Sequence, residues 1–330
     1  MNKPLDSRFD HPLPPQLLEA TNLFQAFAQR ELKREERRET PKTPLYHYTA
    51  HFSALEGILT NQHLWCFSHL KQKDANEFAF ALEQARRAIR DVGAKSKDWF
   101  ARSMCACLDD MLEHNPLAGP FDFFLFSLSR VRDDPNQWRD YADTGKGYAI
   151  GLSSALFQPE VKELHPRAID NVHVGRVIYG DRPTYDRHRF VIEKAAELVS
   201  RIGNRERKWV DLSRPGLFFN AMAREVLASQ LIWNCLTAKE SQYRIENEVR
   251  LITMGVSENF DADRKLLGDR PYIESALPLK VDGHVTEIIV GCDAPLDIED
   301  RIKAILTREG YGPGIPVIRS GTKASAAPRP

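Results

Sequence analysis

Glu246 and Glu248 stand two residues apart in Tyr243-Arg244-Ile245-Glu246-Asn247-Glu248-Val249-Arg250-Leu251-Ile252, at the head of an apolar, β-branched run. Period two in a strand puts both carboxylates on one face and Val249 and Leu251 on the other. A carboxylate buried without partners is costly, so the pair marks either a solvated edge or a site that uses negative charge. The plain alternative is a surface ion pair of little worth between Glu248 and Arg250 or Arg244. A fixed carboxylate in a water-poor cleft stabilises positive charge developing on a substrate. Aromatic faces position flat cations, and a histidine donates and accepts at once. His47, in Leu45-Tyr46-His47-Tyr48-Thr49, and the pair Trp138 and Tyr141, three apart on a short predicted helix, are the candidates of those types. Taken singly, each is more often an ordinary core or surface position.

Other chemistries lack their motifs. No G-x-G-x-x-G follows a strand, and no G-x-x-x-x-G-K-[ST], H-E-x-x-H or G-x-S-x-G occurs. His47 and His51 are four apart, but the first falls in a strand and the second at a helix start, so the helical ligand geometry does not apply and no metal is expected. Five cysteines, odd in number and without C-x-x-C spacing, argue against a disulfide framework or zinc cage and for a reducing cytoplasm.

The elements that must position these residues follow from periodicity. Residues 14–40 read as a helix ending in a charge run, closed by Pro41 and Pro44. Strands are expected at Leu45–Thr49, Asn61–Phe67, Phe121–Ser129, Gly147–Leu152, Val174–Tyr179, Glu248–Thr253, Ile273–Leu279, Glu287–Val290 and Val317–Ile318. Helices are expected at Phe52–Leu59, over Asp74–His114 as a hairpin divided at Gly93, at Tyr185–Trp209, Pro215–Thr237 and Ile298–Glu309. This order is α+β, not a regular β-α-β alternation. It is read as an N-terminal helix and linker over 1–43, one α+β domain over 44–320 and a disordered tail over 321–330.

The 330 residues are 42% hydrophobic and 28% charged, a globular balance, and no apolar run reaches the length of a bilayer span. Met1–Asp6 shows no apolar signal core, so a cytoplasmic protein without a membrane partner is expected. Forty-six basic residues offset 46 acidic ones, which removes a general electrostatic attraction to nucleic acid but leaves room for a local patch.

One ordered series remains: Leu45-Tyr46-His47-Tyr48-Thr49, Gly57-Ile58-Leu59, Leu64-Trp65-Cys66-Phe67-Ser68, Phe126-Ser127-Leu128-Ser129, Trp138 to Asp143, Gly147 to Leu152 and Glu246 to Leu251. It resembles, from about Leu45 to Ser320, a bacterial family known as domain of unknown function 2971, whose name carries no activity. More distantly it resembles the catalytic core of ADP-ribosyltransferases of the His-Tyr-Glu kind.

That second resemblance implies a split, largely antiparallel sheet of ADP-ribosyltransferase type with helical insertions. It implies NAD as substrate without a metal, with ADP-ribose passed to a protein or nucleic-acid acceptor or NAD hydrolysed by the same route. His47 would contact the ribose and nicotinamide amide, Tyr141 would stack on the nicotinamide, and Glu248 would hold the ribose and support the oxocarbenium-like transition state. Tyr48, Thr49, Ser127, Ser129 and Trp138 would line the cofactor pocket, and Glu246 would orient the acceptor. The segment Lys73-Asp74-Ala75-Asn76-Glu77 departs from the Asn-Asp-Pro of many relatives. Two alternatives stand beside this reading: a catalytically silent nucleotide-binding or protein-interaction module of the same fold, and a nucleic-acid-processing enzyme using the same cleft. On the catalytic reading Glu248→Gln should hardly disturb the fold, because it relieves an acidic pair.

Overall fold

The computed structural model describes residues 13–39, 41–69, 76–114, 121–157, 172–210 and 216–326. Its elements in chain order are α1 (Pro15–Glu39), β1 (Leu45–Thr49), α2 (Phe52–Asn61), β2 (His63–Ser68), α3 (Glu77–Lys95), α4 (Trp99–His114), β3 (Phe121–Ser129), α5 (Pro135–Tyr141), β4 (Tyr148–Leu152), β5 (Val172–Arg176), β6 (Ile178–Tyr179), α6 (Asp181–Arg205), α7 (Gly216–Val226), α8 (Ile232–Leu236), β7 (Ala238–Lys239), β8 (Glu248–Val256), β9 (Lys265–Leu267), β10 (Arg270–Ala276), β11 (Val285–Val290), α9 (Ile298–Arg308) and β12 (Val317–Arg319). They fall into two compact units, neither continuous in sequence. The sequence reading draws one domain over 44–320 with helical insertions. Those helices instead gather with residues of α1 up to Glu35 around a core of their own.

The helical unit comprises Met1–Glu35, Asn76–Gly119 and Ile178–Ser241. Apolar stripes of α1, α3, α4, α6 and α7 meet in a core that includes Phe24, Ile89, Phe100, Met104, Ile202 and Met222. Gly93, expected to divide the hairpin, lies inside α3, and the chain turns at residues 96–98, where Asp98 Oδ1 accepts from the Ala101 N–H at 3.1 Å. The glycine serves packing: a Cβ there would sit 3.1 Å from Cys105 Cβ on α4. The helix expected over Pro215–Thr237 is α7 and α8 joined by a π-helical turn at Leu227–Leu231. Half-buried and buried charges pair in this unit. Arg187 donates to both oxygens of Glu35 and to Thr237 Oγ1, the Trp233 indole donates to Glu35, and Lys239 meets Glu77 at 2.6 Å.

The sheet unit comprises Glu36–Ala75, Pro120–Val177 and Gln242–Pro330. Its axis is β3, aromatic and apolar through Phe123, Phe124, Leu125 and Phe126. Along one edge β8 pairs with it from Phe121↔Val256 to Ser129↔Glu248, with β5 beyond β8. The other edge is shared. β1 meets β3 at Tyr46↔Ser129, β2 meets it at Phe67↔Leu125 and Ser68↔Phe124, and the two strands then part. From β1 the sheet continues through β4, β11 and β12, and from β2 through β10 and β9. All pairings in this sheet are antiparallel except β11 with β12. The expected mixture of helices with a largely antiparallel sheet is therefore present.

Alternation gives this sheet two faces. Leu45, Phe124, Phe126, Leu128, Val249 and Leu251 pack with α2 and α9 on one. Tyr46, Tyr48, Ala149 and Ile289 pack with Trp138 and Ala142 on the other. The expected strand Val174–Tyr179 is two strands in different units, interrupted at Val177. Where a disordered tail is expected from 321, Thr322 Oγ1 donates to Asp133 Oδ2 at 3.1 Å and the Ser325 N–H to Pro135 O at 2.8 Å. Residues 327–330 of that tail, residues 1–12 of the expected N-terminal region and Lys73-Asp74-Ala75 lie outside the described residues. Among the described residues no helix is long and apolar enough to cross a membrane.

Candidate functional site

β8 starts at Glu248 because Asn247 takes a left-handed φ of +46°. Asparagine tolerates that region better than most residues. Glu246 therefore ends a 3₁₀ turn, Ser241–Glu246, and does not share a strand period with Glu248. Both carboxylates are buried. Glu246 accepts from the Tyr141 hydroxyl at 2.7 Å, while its backbone carbonyl accepts from Ser129 Oγ at 3.0 Å and Gln137 Nε2 at 3.4 Å. Glu248 receives two bonds from Arg250, at 2.9 and 3.1 Å, and one from Ser127 Oγ at 2.5 Å. Glu248 and Arg250 are each 4% exposed, so the surface pair foreseen as the plain alternative is a buried, bidentate one.

The aromatic candidates come from α5, which opens on Pro135 and is capped by Asp134, whose carboxylate accepts from the Asn136 N–H at 2.8 Å. This start turns Trp138 inward, fully buried, its indole donating to Asp133 Oδ1 at 2.7 Å and its ring edge-on to Tyr48 at 5.1 Å. The Tyr48 hydroxyl donates to Val131 O and accepts from the Asp134 N–H, and burial pushes its phenol up. Tyr48, Ser127, Ser129, Trp138, Tyr141, Glu246 and Glu248 thus come together on one side of the sheet, tied into one another.

His47 does not join them. It follows Tyr46, which shares the Ser129 and Glu248 face by register, so its side chain takes the opposite face with Thr49. Its ring lies 4.3 Å from that of Phe126. Nδ1 is 3.3 Å from the Ser127 carbonyl, which accepts only, so Nδ1 carries the proton and Nε2 is an acceptor. Where β1 has left β3, this side chain meets a carbonyl that the parted strand no longer pairs. Burial pushes its pKa down to about 4, so the imidazole is neutral at ordinary pH. Nε2 has no partner among the described residues.

A further cluster beside Tyr46 has no counterpart in the sequence reading. Its hydroxyl donates to Glu287 Oε1 at 2.9 Å, and Arg132 grips the same carboxylate at 2.7 and 2.8 Å. The Arg132 contact holds Glu287 below the usual carboxylate range, and burial with that hydrogen bond pushes Tyr46 up to about 12. Nothing in the local sequence links residues this far apart. Among the described residues no group of three or more His, Cys, Asp or Glu side chains is placed to hold a metal ion.

Residues 137–251, from α5 into β8, match the family described as Protein of unknown function (DUF2971). The matched stretch holds Tyr141, Glu246 and Glu248 but not His47, and its description names no activity. No curated protein and no solved structure matches the chain. These findings lend no support to the more distant likeness to ADP-ribosyltransferases.

Proposed function

We propose that the sheet unit is a nucleotide-binding module that holds an NAD-like ligand where β1 and β2 part, without breaking its glycosidic bond. The observation that carries this reading is the separation of His47 from Glu248. A neutral His47 at the split offers an Nε2 acceptor to a ribose hydroxyl or carboxamide N–H. Glu248, the residue that a transferase would aim at the ribose, is buried against Arg250 and Ser127 on the other face. Its negative charge already serves a guanidinium, so little is left to stabilise an oxocarbenium ion.

The test combines calorimetric titration with NAD and a nicotinamide-release assay on the full chain. Saturable binding that His47→Phe abolishes, with no release above buffer, supports the reading. A ligand at about 100 times its dissociation constant adds roughly 2.7 kcal/mol to stability, so the melting midpoint reports the same event. Release of nicotinamide by the parental protein restores the transferase or glycohydrolase reading. A flat titration to millimolar NAD removes both.

A further inference from the structure

On the face that carries Glu248, the β2–β10 part of the sheet presents a group of rings used by none of the roles above. Register places Phe67 opposite both Leu125 and Tyr272, and Trp65 opposite Glu274, so Trp65, Phe67 and Tyr272 share that face. The Trp65 and Tyr272 centroids are 5.0 Å apart and those of Phe67 and Tyr272 5.7 Å, with tilts of 36° and 43°. Trp65 is 38% exposed on a strand whose alternate residues are fully buried. Arg270 stands over this group, its Cζ 4.1 Å from the Phe67 centroid.

Arg270 is the unusual member. Its Nε is buried without a hydrogen-bond partner, and its guanidinium makes no ion pair among the described residues. The neighbouring cation, Lys265, is neutralised by Glu274 at 2.7 Å. A planar cation held over an aromatic ring, with no anion paired to it among the described residues, is a recognition element for phosphate, and an exposed tryptophan next to it is a platform for a flat ring.

We propose that Trp65, Phe67, Tyr272 and Arg270 form a site for a nucleobase that carries a phosphate, the base stacking on Trp65 and the phosphate accepting from Arg270. The site is on the opposite face from His47 and does not depend on the NAD reading. The ligand is either a free nucleotide or the same unit within a single-stranded oligonucleotide. One guanidinium at the site among the described residues predicts few phosphate contacts, in keeping with the chain's balanced charge.

The experiment titrates the full chain with AMP by calorimetry and with a fluorescein-labelled single-stranded decanucleotide by anisotropy, in several salt concentrations. Trp65→Ala should weaken binding about tenfold or more, as loss of one stacked base does. Arg270→Gln should weaken it and flatten a salt dependence of slope about −0.7 per phosphate contact. Binding of AMP alone assigns a free nucleotide, and binding of the decanucleotide alone assigns nucleic acid. Parental affinity in both Trp65→Ala and Arg270→Gln, with unaltered melting curves, overturns the proposal, as does the absence of binding by either probe at millimolar AMP and micromolar oligonucleotide.

Discussion

Glu248 and His47 stand on opposite faces of one sheet, separated by the register that pairs Tyr46 with Ser129 and Ser129 with Glu248. A carboxylate that supports charge on a ribose must look into the same cleft as the group that binds that ribose. Here the carboxylate looks at Arg250, and the histidine braces a carbonyl of β3 beside Phe126. The two residues therefore answer to different tests, one of stability and one of binding.

Glu248→Gln is expected to destabilise the protein by about 3–5 kcal/mol, because it removes the bidentate carboxylate from a guanidinium that stays buried. This reverses the expectation drawn from the sequence, where relief of repulsion from Glu246 would offset the loss. Glu248→Leu combined with Arg250→Met should recover much of the stability, since removing both charges removes their desolvation as well. Urea denaturation of the three proteins decides the matter. A parental midpoint for Glu248→Gln would show that the pair contributes nothing.

Tyr141→Phe should also be costly. As a stacking ring alone, Tyr141 would tolerate loss of its hydroxyl. In the structure that hydroxyl donates at 2.7 Å to Glu246, a carboxylate 5% exposed. Hydrogen bonds to charged groups contribute roughly 1.5–3 kcal/mol, and that is the expected loss in a denaturation midpoint. A neutral effect would mean that other donors compensate Glu246.

Much of the secondary structure is legible in the sequence, and the limits have identifiable causes. Leu45–Thr49 and Phe121–Ser129 match β1 and β3 to the residue, because Pro44 and the Asp133–Pro135 turn bound runs of β-formers. The site is less legible for two reasons. Period two makes Glu246 and Glu248 neighbours on a face only if the strand includes both, and the positive φ of Asn247 excludes Glu246. Alternation also fixes faces only within a strand, so whether His47 and Glu248 agree depends on the single pair Tyr46↔Ser129, a long-range contact without local trace. The grouping of α3, α4, α6 and α7 with α1 is hidden in the same way, since segments far apart in sequence share that core.

Gly203 tests the packing of the helical unit. Within α6 an alanine is favoured over glycine by about 1 kcal/mol in propensity. A Cβ at this position, however, would fall inside the Phe100 ring's contact distance, where Phe100 is 2% exposed and held against Trp99 and Phe219. Overpacking costs typically 1–3 kcal/mol, so Gly203→Ala should be net destabilising by about 1 kcal/mol. A raised melting temperature would show that Phe100 has room to move.

Acid should destabilise the fold through histidines held neutral inside it. His188 is fully buried, with Nδ1 unpartnered among the described residues and Nε2 3.9 Å from Cys235 Sγ. Burial, helped by the adjacent Arg187 charge, pushes its pKa down to about 3, and burial takes His47 to about 4. Unfolded, each would bind a proton near pH 6.5. Below that value the unfolded state therefore holds more protons than the folded one, and stability falls as pH falls, from about 6.5 until the folded value is reached. Above 6.5 neither group contributes a slope. Each adds about 1.4 kcal/mol of lost stability per pH unit once well below 6.5. Carboxylates with lowered values, Glu287 and Asp109 among them, add their own loss at more acid pH. Denaturation midpoints at pH 7.5, 6 and 5 should fall modestly over the first interval and more steeply over the second. His188→Leu should reduce that fall by close to one proton's worth, and an unchanged fall in the variant would mean that His188 takes up its proton without leaving the core.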